Sequence, residues 1–558
     1  MPFGKMVFGL VVLLAALVAS VTGSSAGASR EDHSGSARPH RVLIVVMDQM
    51  RPEYVDQFNM ENVRRLQRQG VNYRNAYLGH MASETVISHN VMVSGLYPKN
   101  MGWSDEVYRD TENVLGNGAD KIYVTGDLTQ SQFDLIVAHA NYPKLADYLH
   151  TAFPGTKFAT VGEKSYAVES IAAPSNTSDI AVRLSSRRSS STDGCANVGG
   201  RWREPFGVNV PTYLSQPKCG RFFINSDTSN DYSTLTTSPA WMYPEDGNRF
   251  VPGFDQAHLG GDTWAADAAR EIMSHENWSG MVVTLGAIDK IAHMWGGGVV
   301  DNAVYPPGSP QEMIHQRFIT KNADVQLGRM LDRLRELGQL DDTLVIVTAD
   351  HGQTVGEHFY GVNAPNAGNT NWYTGTSHND GTFSPASPAL KPLMDTGNVE
   401  FSYQSTAIET WLKDRSPAKK NEAALAMRTL PGVIATYIRD GSRYRLDSTQ
   451  TSTPMTRSVR DWWRRHGQEL VDTMAADHSA DVVGLLADRT SYGVYGDHGG
   501  AQEEVQKIPM VFWAAGLERD RPDAAFRSVD IMPTILRTMS IPQTHPVDGR
   551  AYRLRSGG

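Results

Sequence analysis

Continuous apolar runs punctuate the chain at 41–47 (RVLIVVM), 281–285 (MVVTL), 343–348 (TLVIVT) and 509–514 (PMVFWA). Runs without polar alternation suit strands buried on both faces, as in a parallel sheet. Shorter strands are predicted over 157–161 and 482–486. Between them, apolar residues recur at helical spacing over 61–69, 86–93, 144–152, 263–274, 311–337, 457–475 and 529–539, with Gly70 and Gly95 as stop signals. This alternation predicts an α/β fold with a mostly parallel central sheet flanked by helices. Two stretches interrupt it, about 170–260 and 354–400, both rich in Ser, Thr, Asn, Gly and Pro. They are expected to be irregular insertions within one hydrolytic domain spanning 40–558.

The first residues follow a different logic. Lys5 precedes a short apolar run and then Ala26-Gly27-Ala28. A basic start, an apolar stretch and an Ala-x-Ala site read as a secretory signal peptide over 1–28, with 29–39 a polar, flexible lead-in. The alternative reading is an uncleaved N-terminal anchor. Secretion or a periplasmic location is therefore expected, with no membrane attachment after cleavage. The chain has two cysteines, Cys195 and Cys219, and in an exported protein such a pair suggests one disulfide. Of 558 residues 40% are hydrophobic and 20% charged, a globular balance. The formal charge of -9 points away from a protein that grips nucleic-acid backbone.

Chemistry-bearing residues collect after the apolar strands. Asp48 follows the first; Asp289 and His293 follow 281–285; Asp350 and His351 follow 343–348. His498 lies in the turn-rich loop Tyr495-Gly496-Asp497-His498-Gly499-Gly500. In open α/β sheets, ligands gather at the carboxyl ends of strands. Each residue alone has an ordinary reading, since an Asp after a strand is commonly a cap or turn residue. Together, Asp and His donors at several strand ends suit divalent ions such as zinc. Six such donors exceed one tetrahedral site and divide into two sites of three, as two-metal hydrolysis requires.

In this arrangement the sequence resembles the alkaline phosphatase superfamily, in particular its type I phosphodiesterase/nucleotide pyrophosphatase and related secreted alkaline phosphatase branches. The resemblance rests on Asp48-Gln49-Met50-Arg51, on Ser83-Glu84-Thr85-Val86-Ile87-Ser88-His89 with Ser94-Gly95-Leu96-Tyr97-Pro98, and on Asp289 with His293. It continues through Asp350-His351-Gly352, His498-Gly499, Val529-Asp530-Ile531-Met532-Pro533-Thr534 and Asp548-Gly549-Arg550. It implies one metal site of Asp289, His293 and His498, and another of Asp48, Asp350, His351 and the Thr85 oxygen. Thr85 is then the nucleophile that attacks phosphorus. Two divalent ions per chain, zinc by this donor set, and small phosphate esters or nucleotides as substrates are expected.

Departures from the family pattern bear on substrate. Where the phosphodiesterase branch usually carries Asn, three residues after the nucleophile, this chain has Ser88. A monoesterase Lys-x-Arg pair finds its counterpart in Lys164-Ser165-Tyr166, with Tyr166 in place of Arg. The companion Asn of that branch falls near Asp105 or Glu106. For Lys164 a solvated surface lysine is the equally weighted alternative. Fewer cations around the phosphoryl group favour a diester or nucleotide pyrophosphate over a dianionic monoester. An alkaline phosphomonoesterase is the alternative. A secreted binding protein on a degenerate hydrolase fold is the alternative of another class, and a phosphomutase is disfavoured by the export signal. The formylglycine motif of sulfatases is missing at the nucleophile position.

Overall fold

The computed structural model describes residues 38–125, 128–184, 202–217, 222, 224–225, 261–289, 292, 310–354, 358–360, 387–449, 453–493 and 496–556. His293, Cys195, Cys219 and the predicted signal peptide lie outside these residues, as does much of both predicted insertions. No helix among the described residues is long and apolar enough to cross a membrane.

The apolar run Arg41–Met47 forms the middle of an eight-stranded sheet. In spatial order the strands are Val71–Asn72, Met510–Trp513, Thr343–Thr348, Arg41–Met47, Trp278–Leu285, Lys157–Gly162, Asp179–Leu184 and Pro205–Val208. The five from Thr343–Thr348 to Asp179–Leu184 pair in parallel. Met510–Trp513 and Pro205–Val208 run antiparallel to their neighbours. The fold class is thus α/β with a mostly parallel central sheet, as the sequence predicts. Residues 42–47 are all buried, and each large apolar side chain fully buried contributes roughly 1.5–3 kcal/mol. The register brings three central strands to an end level with one another: Met47 pairs with Leu285 and Val46 with Thr348. Whatever follows each strand therefore emerges at the same edge.

Helices cover the sheet, among them Glu61–Gln69, Leu145–Ala152, Gly261–His275 and Pro310–Glu336. The helix Thr85–Ser94 is buried along its whole length. It stops at Gly95, which adopts φ 68° while its N–H donates to Val91 O. An L side chain would be strained in that left-handed conformation.

A second, five-stranded sheet is inserted in the chain between Thr343–Thr348 and Met510–Trp513 and is antiparallel throughout. Its order is Val399–Gln404, Ala407–Leu412, Val482–Leu486, Val433–Asp440 and Arg443–Ser448. Of its strands, the apolar-run reading anticipates Val482–Leu486 alone. Arg443–Ser448 alternates with polar residues and is largely exposed, so it offers no continuous run. This sheet reaches the edge of the central one through the loop that carries His498, where Thr406 N–H donates to His498 O.

Candidate active site

Four parallel strands deliver the site. Asp48 follows Arg41–Met47, Lys164 follows Lys157–Gly162, Asp289 follows Trp278–Leu285, and Asp350 and His351 follow Thr343–Thr348. Asp48 is held in place by its N–H, which donates to Leu285 O at 3.0 Å. The next residue, Gln49, donates its N–H to Asp350 Oδ1 at 3.1 Å, tying two strand ends together.

Donor atoms of Asp289, His351 and His498 lie within 4.8 Å of one another, and so do those of Asp48, Asp350 and His351. All five side chains are buried. The structure thus gathers two triads, with His351 common to both. The His351 and His498 rings stack at 3.7 Å. His351 Nε2 is 3.5 Å from Asp350 Oδ2 and 3.7 Å from Asp48 Oδ1. His498 Nε2 is 3.5 Å from Asp289 Oδ1.

Thr85 is the first residue of its helix, with Glu84 in the cap position. The threonine hydroxyl is therefore not consumed as a cap. Thr85 Oγ1 lies 3.3 Å from His351 Nε2 and accepts from Lys164 Nζ at 3.4 Å. The dipole of a helix start favours negative charge at this point. Lys164 is 6% exposed, which excludes the surface reading. Its ammonium bridges Asp48 Oδ2 at 2.6 Å and Asp289 Oδ2 at 2.7 Å. Burial works against that charge, but Asp289 and Asp48 outweigh it and hold the ammonium well above its usual range.

The carboxylates are crowded. Burial and then Asp350 push the Asp48 carboxyl well above its usual range, against Lys164. Burial also opposes charge on Asp350, yet His351, His89 and Lys164 hold it below the usual range. Burial pulls His351 down to about 3, leaving a neutral imidazole. Asp48 Oδ1 and Asp350 Oδ2 are buried and accept no hydrogen bond among the described residues. Buried carboxylate oxygens are stable only when paired or metal-bound. Neutral imidazole beside such oxygens is a donor set that fits borderline divalent ions such as zinc.

The model of the type I phosphodiesterase / nucleotide pyrophosphatase family matches residues 42–404, which contain all these residues except His498. The chain belongs to that family. It lies within the alkaline phosphatase superfamily, and family membership makes it a metal-dependent phosphoric ester hydrolase of the phosphodiesterase/alkaline phosphatase type. It is 21% identical to alkaline phosphatase PhoK of Sphingomonas sp over 570 residues, covering 94% of this chain and 92% of that protein. Its fold is similar to that of wild-type alkaline phosphatase PafA, with TM-score 0.57 and 14% identity over 91% of this chain and 96% of the other. Human ectonucleotide pyrophosphatase / phosphodiesterase 5 is similar with TM-score 0.52 and 12% identity, over 91% and 97%.

Within this family member, the remaining sequence-read residues sit as follows. Ser88 is buried on the Thr85 helix, one turn along, and its Oγ has no hydrogen-bond partner among the described residues. Tyr166 is half-buried with its ring centroid 6.0 Å from Lys164 Nζ.

Three supporting residues escape the sequence reading. His89 stands four residues after Thr85, hence on the same helix face. Its Nδ1 donates to Thr85 O at 2.7 Å and its Nε2 meets Thr284 Oγ1 at 2.8 Å. The i, i+4 spacing is a signal that could have found it. Glu84 Oε2 lies 2.7 Å from His498 Nδ1, and its place beside Thr85 is visible in the sequence. Tyr403 donates to Glu84 Oε1 at 3.0 Å from a strand of the second sheet, and nothing local in the sequence marks it.

Proposed function

We propose that this enzyme hydrolyses phosphodiesters or nucleotide pyrophosphates through Thr85, with two divalent ions bound by the buried carboxylate–imidazole triads. The observation that carries the reading is the Thr85 hydroxyl itself. It stands at a helix start, 3.3 Å from His351 Nε2 and 3.4 Å from Lys164 Nζ, beside three buried carboxylates. Asp48, Asp350 and His351 would hold one ion, and Asp289 and His498 the other, with His293 the third residue of that set. When bound, such ions lower the pKa of a hydroxyl and neutralise phosphoryl charge.

The chain's own groups then have definable tasks. The Thr85 oxygen attacks phosphorus and forms a phospho-threonine bond as the leaving oxygen departs. Water then cleaves that bond and returns the hydroxyl. The dipole at the start of the helix favours the incoming phosphoryl charge. His89 fixes the Thr85 carbonyl and so the direction of the first helical turn. Lys164 contributes positive charge beside the attacking oxygen. Among structural neighbours, murine ectonucleotide pyrophosphatase / phosphodiesterase 5 has been solved in complex with AMP, a nucleoside monophosphate of the kind that hydrolysis of a nucleotide pyrophosphate releases. The enzyme is further proposed to be exported and to carry a Cys195–Cys219 disulfide.

A phosphomonoesterase is the second reading, favoured by the buried Lys164 in the site and by the similarity to PhoK. Rates of wild type and Thr85→Ala on an aryl diester and the matching monoester, at full metal occupancy, test both readings. Thr85→Ala should lose on the order of 10³-fold or more on both substrates, the scale seen when a nucleophile is removed. Turnover near wild type would move the nucleophile elsewhere.

A further inference from the structure

Lys144 lies outside the cluster just described, yet it joins the two helices that lead into it. It immediately precedes the helix Leu145–Ala152 and is 2% exposed. Its Nζ donates to Asn90 Oδ1 at 2.8 Å and to Ser170 O at 2.7 Å, and reaches Ile171 O at 3.5 Å. Asn90 belongs to the helix Thr85–Ser94, and its own Nδ2 donates to Val86 O at 2.9 Å. That amide is thereby fixed to the first turn of the helix that begins with Thr85. Ser170 and Ile171 close the helix Ser165–Ala172, which begins directly after Lys164.

The chemistry of the two ends is complementary. The last carbonyls of a helix lack intrahelical partners, and its C-terminus favours a cation. An ammonium offers three donors, and here they are divided between one helix's C-terminal carbonyls and the other's side-chain amide. The helix Ser165–Ala172 has eight residues and so is about 12 Å long, short enough that anchoring one end fixes the other. Burial pulls the Lys144 ammonium down to about 7, against Asp147, Asp134 and Asp179. A cation held at such a disadvantage, with every described contact aimed at these two helices, has a defined structural task.

We propose that Lys144 is a positioning residue for the hydrolytic reaction: by tying the Thr85 helix to the Lys164 helix, it sets the separation of the Thr85 hydroxyl and the Lys164 ammonium. It touches neither group. The inference rests on the assignment of Thr85 as nucleophile, which fails separately if Thr85→Ala turns over like wild type.

The test compares Lys144→Met, the double variant Lys144→Met/Asn90→Leu, and Lys144→Met combined with Lys164→Ala. Lys144→Met leaves a buried amide oxygen and two carbonyls without their donor, so lost stability alone could lower its activity. The double variant replaces the polar contact with an apolar one and separates the two effects. Expected are a loss of at least tenfold in kcat/KM on an aryl phosphodiester for Lys144→Met, and a Tm recovered in the double variant without recovery of kcat/KM. The effect of Lys144→Met should also shrink at least threefold when Lys164 is already alanine, because residues acting through one another are not additive. A Lys144→Met enzyme within twofold of wild type overturns the proposal. So does recovery of both stability and kcat/KM in the double variant, or full additivity with Lys164→Ala. If Lys144→Met alone does not fold, the double variant carries the comparison.

Discussion

Glu84 Oε2 stands 2.7 Å from His498 Nδ1, while the opposite ring nitrogen, Nε2, faces Asp289 Oδ1 at 3.5 Å. One carboxylate thus orients the imidazole and leaves its other nitrogen for the cluster. Burial disfavours charge on His498, but Glu84 and Asp289 outweigh it and hold the ring well above its usual pKa. Partners of this kind fix the tautomer and raise the basicity of a metal-ligating imidazole. Glu84→Gln should therefore lower metal affinity by about 10–100-fold, the range typical of such partners. Titration against a chelator of known affinity measures it. Unchanged affinity in a folded variant would separate Glu84 from the metal centre.

The two clusters give a second expectation. Asp48 lies in one triad and Asp289 in the other. Wild-type enzyme should hold about two divalent ions per chain, as a two-metal hydrolase does. Asp48→Asn and Asp289→Asn should each lose about one. Elemental analysis of desalted protein decides this. Active wild-type enzyme free of metal would end the two-ion reading, and two ions retained in either variant would separate that carboxylate from the metal centre.

How much of this was legible beforehand follows from what each feature depends on. The central strands are continuous apolar runs because both their faces are covered, so local composition alone reveals them. Asp48, Asp289, Asp350 and His351 are readable because they follow such runs within a few residues, and the sheet register then places them together. Lys164 was ambiguous, since nothing in Glu163-Lys164-Ser165 distinguishes a surface lysine from one buried between two carboxylates. Tyr403 and the strands of the second sheet other than Val482–Leu486 were not readable. These strands alternate or lie beside a Ser- and Asn-rich stretch, and their reach to Glu84 is set by tertiary packing.

His80 provides a test of acid stability away from the reacting groups. The side chain is fully buried, and burial, partly offset by a backbone contact at Ala82, pulls its pKa down to about 3. In the unfolded chain histidine titrates near about 6.5. Between these values the unfolded state binds a proton that the folded state refuses, so stability is present above about 6.5 and is lost as pH falls toward 3. The limiting slope is about 1.4 kcal/mol per pH unit. His80→Phe keeps a ring and removes the proton site. Relative to that variant, wild type should lose on the order of 2 kcal/mol between pH 7 and pH 5. Urea midpoints at the two pH values measure the difference, and parallel pH dependence of the two proteins would exclude His80 as a source of acid sensitivity.

The final expectation concerns substrate charge. Among the described residues, the flexible cation beside the Thr85 hydroxyl is Lys164, already paired with Asp48 and Asp289. By the sequence resemblance, Tyr166 would stand where a monoesterase carries arginine, and its ring lies 6.0 Å from Lys164 Nζ. Glu106 accepts from Val86 N–H at 3.3 Å, at the helix start that a phosphoryl oxygen would approach. Burial and then Glu84 push Glu106 up to about 8, so it is neutral or negative but adds no positive charge at any pH. A monoester brings nearly two negative charges at neutral pH and a diester brings one. A charge-assisted hydrogen bond is worth roughly 1.5–3 kcal/mol, while a tenfold change in preference needs only about 1.4 kcal/mol. One absent guanidinium is therefore enough to reverse the choice. With matched aryl leaving groups, diester hydrolysis should equal or exceed monoester hydrolysis in wild type. Tyr166→Arg should raise the monoester-to-diester ratio of kcat/KM by about tenfold. A wild-type preference for the monoester greater than about tenfold would overturn the diesterase assignment while leaving the roles of Thr85 and the two triads intact.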